Sequence, residues 1–134
     1  MVGVEGPTVE KRTTPVLVRY RNNGHIDRSF SEDGKQTTHF RGGGSFQDVT
    51  VGDGRIVAAG LAVGGPGRMS VARYRISGQL DREFSGDGRR TIGFGSTGRD
   101  RAYGVALQAN GRIVAAGVDG RPGGSDFAVA RLKG

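Results

Sequence analysis

The chain has 134 residues, enough for one modest domain, with 34% hydrophobic residues, no Trp, 26 Gly and 4 Pro. The absence of Cys excludes disulfides and cysteine-ligated zinc, the glycines follow no G-X-Y period and so exclude collagen, and no apolar run approaches the length of a membrane span. A net charge of +7 and an isoelectric point near 10.8 raise the question of an anionic partner.

The N-terminal MVGVEGPTVEKRTT contains no apolar core of the signal-peptide kind. Pro15–Arg21 (PVLVRYR) is the first predicted strand, and the segment 1–34 is expected to hold this lone strand and a connector that runs through Gly24–Phe30. Four strands then follow, expected to form a first blade over 35–75. They are Lys35–Phe40 (KQTTHF), Phe46–Val51 (FQDVTV), Arg55–Leu61 (RIVAAGL) and Met69–Arg75 (MSVARYR). Gly52-Asp53-Gly54 joins the second to the third, and Asp-Gly is a strong hairpin signal because both central residues of a type I′ turn need φ > 0.

From Arg73 the sequence starts again. Arg19–Phe40 and Arg73–Phe94 are identical at 12 of 22 positions at an offset of 54 residues, and GRIVAAG stands at Gly54–Gly60 and Gly111–Gly117. A connector over 76–88 precedes a second expected blade over 89–134, with strands Arg89–Phe94, Ala102–Gln108, Arg112–Val118 and Phe127–Leu132. Ala109-Asn110-Gly111 is read as its hairpin turn. Gly3 would stand where Gly60 and Gly117 stand, which makes Met1-Val2-Gly3 the end of an earlier third strand. The RIVAAG strands are apolar on both faces and are expected to be covered on both. The first copy is three residues shorter before its GRIVAAG, where a bulge or a trimmed turn is expected. No window carries helical apolar periodicity.

Four short antiparallel strands per repeat make the unit of a β-propeller blade. The expected fold is therefore all-β and β-propeller-like: about two four-stranded antiparallel blades plus one extra N-terminal strand. Propellers close with about four to eight blades. Two would leave faces and edges uncovered, so the chain is expected to belong to a longer array or to close a ring with copies of itself, for example three chains making six blades. Pro15–Arg21 would pair with a blade outside the chain or fold back onto the first one.

The run Asp126–Arg131 (DFAVAR), Gly78–Arg89, Thr91 and Val105–Gly117 resembles the bacterial delta-60 repeat. The first copy matches at Gly24–Lys35, Thr37 and Asp53–Gly60. The resemblance spans nearly all of the chain from about Pro15. It implies a propeller-like fold in repeat arrays of long bacterial proteins, often exported, hence an extracellular or cell-surface setting. It implies no shared catalytic activity, so function must be argued from sites.

His25 and His39 have Gln79 and Gly93 as repeat counterparts, and no partner for metal or acid–base work recurs beside either. Asp33 and Asp87, in S-[EG]-D-G, are read as Asx-type turns rather than calcium loops, which need more carboxylates. Gly42-Gly43-Gly44 and Gly64-Gly65-Pro66-Gly67 are read as flexible connections, not phosphate cradles, for want of GxxxxGK[ST] and a helix. Asp27 and Asp81, in D-R-x-F, could be ligand carboxylates. They are read instead as locks that hold the connector through backbone N–H groups, with Phe30 and Phe84 plugging the seam between blades. Tyr20 and Tyr74 in R-Y-R could stack bases, but strand alternation puts Tyr and Arg on opposite faces. The repeated arginines are read as solvated or locally paired.

These readings assign no catalytic residue, no metal and no cofactor. The expected function is a non-enzymatic structural or interaction module whose partners are neighbouring repeats or other copies of the chain, with protein or glycan contact through its loops. A propeller enzyme of the lyase or quinoprotein-like kind and a basic nucleic-acid binder are the alternatives.

Overall fold

A computed structural model describes residues 2–3, 13–95 and 99–134. Ten strands occur among them. They are β1 (Val2–Gly3), β2 (Val16–Val18), β3 (Lys35–Thr37), β4 (Gly44–Gly52), β5 (Arg55–Ala62), β6 (Arg68–Arg75), β7 (Arg89–Ile92), β8 (Arg101–Leu107), β9 (Ile113–Arg121) and β10 (Gly124–Leu132). No helix occurs among the described residues. The strands form three antiparallel sheets, ordered β1-β2-β3, β4-β5-β6-β7 and β8-β9-β10. The fold is all-β and propeller-like.

The strands are grouped differently from the expected blades. The first strand of each sequence repeat pairs with the strand before it, not with the one after: β3 with β2, and β7 with β6. The four-stranded blade is therefore β4–β7, and it absorbs the connector 76–88 and the start of the expected second blade. The three remaining strands of that second blade form the third sheet. The Pro15–Arg21 run is not a lone strand either, because β2 lies between β1 and β3. The cause is the connector, which folds back onto the fourth strand through six backbone bonds that recur at both copies. In the second copy they are Arg73 N–H to Gly88 O, Asp81 to Arg73, Arg75 to Gln79, Gly78 to Arg75, Phe84 to Asp81 and Gly88 to Phe84. This fold-back delivers the next strand antiparallel to the outer edge of the same sheet.

Both faces of the central sheet are covered. Ile56, Ala58, Ala72 and Tyr74 pack with Leu17 and Phe30 on the side of the first sheet. Val57, Ala59, Met69 and Val71 pack with Phe84, Ala102, Ile113 and Ala115 on the side of the third. Strand alternation thus feeds two cores from one sheet. β9 has only one such face, because Ile113 and Ala115 are buried while Val114 and Ala116 are half-buried.

The expected irregularity resolves into two features. A bulge interrupts both inner strands at equivalent places, between Phe46 and Asp48 and between Ala102 and Gly104. The bulge brings the Ser45 carbonyl to 2.0 Å of where a Cβ on Gly60 would lie, and the Arg101 carbonyl to 1.9 Å of one on Gly117, so each GRIVAAG ends in Gly for want of space. The turns then differ. Asp53 and Gly54 both have positive φ, 49° and 69°, as a type I′ turn requires. Asn110 does not, and only Gly111, at 79°, is left-handed. Gly111 N–H bonds Gln108 O, which makes a longer loop closed by glycine.

Candidate functional site

The repeated acids and arginines converge at the two connectors. Asp81 is fully buried. Its Oδ2 lies 2.7 Å from Arg55 Nε and 2.9 Å from Arg73 Nε, and its Oδ1 lies 4.0 Å from Arg75 Nε and accepts the Glu83 N–H. Burial opposes ionisation of Asp81. The Glu83 N–H and the Arg73 and Arg55 guanidiniums outweigh it and hold the carboxyl below its ordinary value. Asp27 repeats the arrangement closer to solvent, with Arg19 Nε at 2.8 Å and Arg21 Nε at 3.6 Å. The Ser29 hydroxyl, against the opposing effect of burial and aided by the Ser29 N–H and Arg19, draws the pKa of Asp27 down to about 2.

Behind each acid sits the plug. Phe30 and Phe84 are buried in the two cores, with the Arg19 guanidinium 4.9 Å from one ring centroid and the Arg73 guanidinium 5.3 Å from the other. The acids bond backbone N–H groups and the rings fill the seams, as the lock reading requires. The arginines add what that reading lacked: they pair with both acids alongside the Ser29 and Glu83 groups.

The other singled-out residues do not converge. His25 and His39 are exposed. Among the described residues, no group of three or more His, Asp or Glu is placed to hold a metal ion. Asp33 and Asp87 accept the N–H of Lys35 and Arg89 at 2.8 and 2.9 Å, which makes both Asx turns. Gly42 is no flexible link: a Cβ there would lie 2.1 Å from the Val63 carbonyl. Tyr74 is buried with its hydroxyl bonded to Thr38, and burial raises its pKa, so it presents no ring for stacking. Tyr20 is exposed.

Three acids escaped the sequence reading. Asp48, turned out by the bulge, accepts Val105 N–H at 2.8 Å and ties the second sheet to the third. Buried Asp100 accepts Phe94 N–H at 2.8 Å. Buried Asp119 accepts Arg121 Nη2 at 2.6 Å and holds that guanidinium protonated above its ordinary value. Gly104 and Ala62 stand at the counterparts of Asp48 and Asp119, so a polar residue breaking the repeat was the available signal.

The outer face of the third sheet is different in kind. It carries Phe127 at 80% exposure, Tyr103 at 54% and Val129 at 46%. Their neighbourhood includes an open groove lined by Arg99, Arg101, Tyr103, Val118 and Arg121. These large apolar side chains stay uncovered among the described residues.

A family described as "Domain of unknown function (DUF5122) beta-propeller" matches residues 52–84 and 108–134. No curated protein matches the chain.

Proposed function

We propose that this chain is a non-enzymatic β-propeller-type repeat module, which serves as structure or as an interaction platform by stacking its end sheets against further blades. Those blades are neighbouring repeats of a longer array or other copies of the chain. One contrast carries the reading. Met69 and Val71 are fully buried against the third sheet, whereas their repeat counterparts Phe127 and Val129 are largely exposed. A position built for burial in one blade is laid open in the next. The strongest candidate acids, Asp27 and Asp81, are already engaged by arginines and backbone N–H groups, which supports a structural role for them. The resemblance to delta-60 repeats adds an exported bacterial array as the setting, with protein or glycan contact through the loops.

Sedimentation velocity on the chain over a hundredfold concentration range tests the stacking. Species heavier than one chain are expected, and Phe127→Asp is expected to dissolve them. A monodisperse, cooperatively melting monomer at every concentration would refute it.

A further inference from the structure

The exposed blade repeats not only an uncovered face but an unfilled lock. In the central sheet the outer edge of β6, Met69–Ala72, is paired with β7, and the connector leading into β7 places Asp81 among Arg55, Arg73 and Arg75. The counterparts in the third sheet are the β10 edge Phe127–Ala130 and the cations Arg112, Arg131 and Lys133. Among the described residues no strand pairs with that edge and no carboxylate pairs with those three cations. A further donor waits alongside. Ser31 N–H bonds the Ser77 carbonyl, so that one connector holds the next, while its counterpart Ser85 N–H makes no backbone bond among the described residues. Phe84, Ser85, Arg90, Arg131 and Lys133, together with the acidic Glu83, line one open groove at the C-terminal end of β10, next to this edge.

Resting on the module reading above, we propose that this groove is an acceptor for one kind of segment. The segment is an Asp-Arg-x-Phe turn followed by an Arg-x-Thr strand, of the chemistry this chain shows at 76–94. Its Asp enters the Arg112–Arg131–Lys133 cluster, an upstream carbonyl takes the Ser85 N–H, its Phe covers the Val129 face, and its strand extends the sheet beyond β10. Main-chain pairing supplies the attachment and the buried Asp and Phe supply the selectivity. The charge logic favours this occupant over a second intact chain, because both connectors of an intact copy already use their Asp and Phe internally. A carboxylate for Arg112, Arg131 and Lys133, with a ring to cover Val129, is what this edge lacks among the described residues.

The test uses the full chain and a fluorescein-labelled peptide of residues 76–94, read by anisotropy, together with the melting temperature of the chain. Saturable one-to-one binding that raises the melting temperature is expected. Asp81→Asn or Phe84→Ala in the peptide should weaken it about tenfold or more, as loss of one member of a buried charge pair does. Arg131→Gln in the chain, at an exposed side chain with no ion pair among the described residues, should weaken it comparably while the melting temperature without peptide stays at the wild-type value. No binding, binding indifferent to the two peptide changes, or equal displacement by heparin would overturn the proposal. Binding unaffected by Arg131→Gln would place the peptide in the occupied lock of the central sheet, which also overturns it. Self-association of the chain without peptide binding would remove the acceptor and leave face stacking standing. A monomer that binds the peptide would do the reverse.

Discussion

Asp81→Asn removes one charge and keeps the size of the side chain. In the wild type that charge is shared by Arg55 and Arg73 at 2.7 and 2.9 Å, in a site where the side chain of Arg73 is 9% exposed. Breaking a buried pair costs about 3–5 kcal/mol, because the remaining cation is left uncompensated. Arg55 reaches solvent at 36% exposure and recovers part of its hydration, so the loss should lie near the low end, about 3 kcal/mol. For a chain of this length that lowers the melting temperature by on the order of 10 °C. Asp27→Asn is the internal control. It removes the same motif residue where Arg19 and Arg21 keep access to water, and its loss should be smaller. Thermal melts by circular dichroism, run from pH 7 to pH 2, are the assay. Both folded carboxyls sit below the unfolded value of about 3.9, so their contribution is whole above about pH 4. It drains as pH falls through the folded values, about 2 for Asp27. The wild type should therefore lose stability faster than Asp81→Asn between about pH 4 and 2, and the two should converge at the acid end. A melting temperature for Asp81→Asn within about 2 °C of wild type at pH 7, well inside the expected loss, or a larger loss at Asp27, would refute the lock as a buried charge pair.

Gly54→Val should cost about 1–3 kcal/mol through backbone strain alone, since Gly54 has φ 69° and an added Cβ meets nothing within 4 Å; an unchanged denaturant midpoint would show that the turn relaxes freely. Gly60→Ala should cost at least as much for the opposite reason, a Cβ driven 2.0 Å from the Ser45 carbonyl, and amide exchange across the β4–β5 bulge should accelerate with it. Glu32→Gly should stabilise the chain by up to about 1 kcal/mol, because Glu32 holds φ 74° where the second copy has Gly86. A urea midpoint that falls on this change would mean that the Glu32 side chain contributes more than its backbone costs.

Much of this molecule is legible in its local chemistry. The Gly- and Asp-bounded runs marked the strands, the Asp53-Gly54 pair marked its turn, and the repetition of DRxF marked the connector locks with their Phe plugs. These are short-range properties, set by alternation, φ preference and hydrogen bonding within a few residues. Strand partnership is not of that kind. Lys35–Thr37 lies seven residues from β4 and far from β2 along the chain, yet it pairs with β2, because the folded connector carries it there. Proximity in sequence favoured the wrong neighbour. The partners of Arg55 and Arg73 were hidden for a similar reason: the repeat placed Arg and Asp in register, but only the tertiary fold brought Arg55 across 26 residues to Asp81. The same holds for Asp48, whose bond to Val105 exists only where a bulge turns one sheet toward another. The sequence alone therefore settled which segments are strands and turns, and that they repeat. Which strand completes which sheet, and which face and lock the last sheet leaves open, were decided by packing between distant segments.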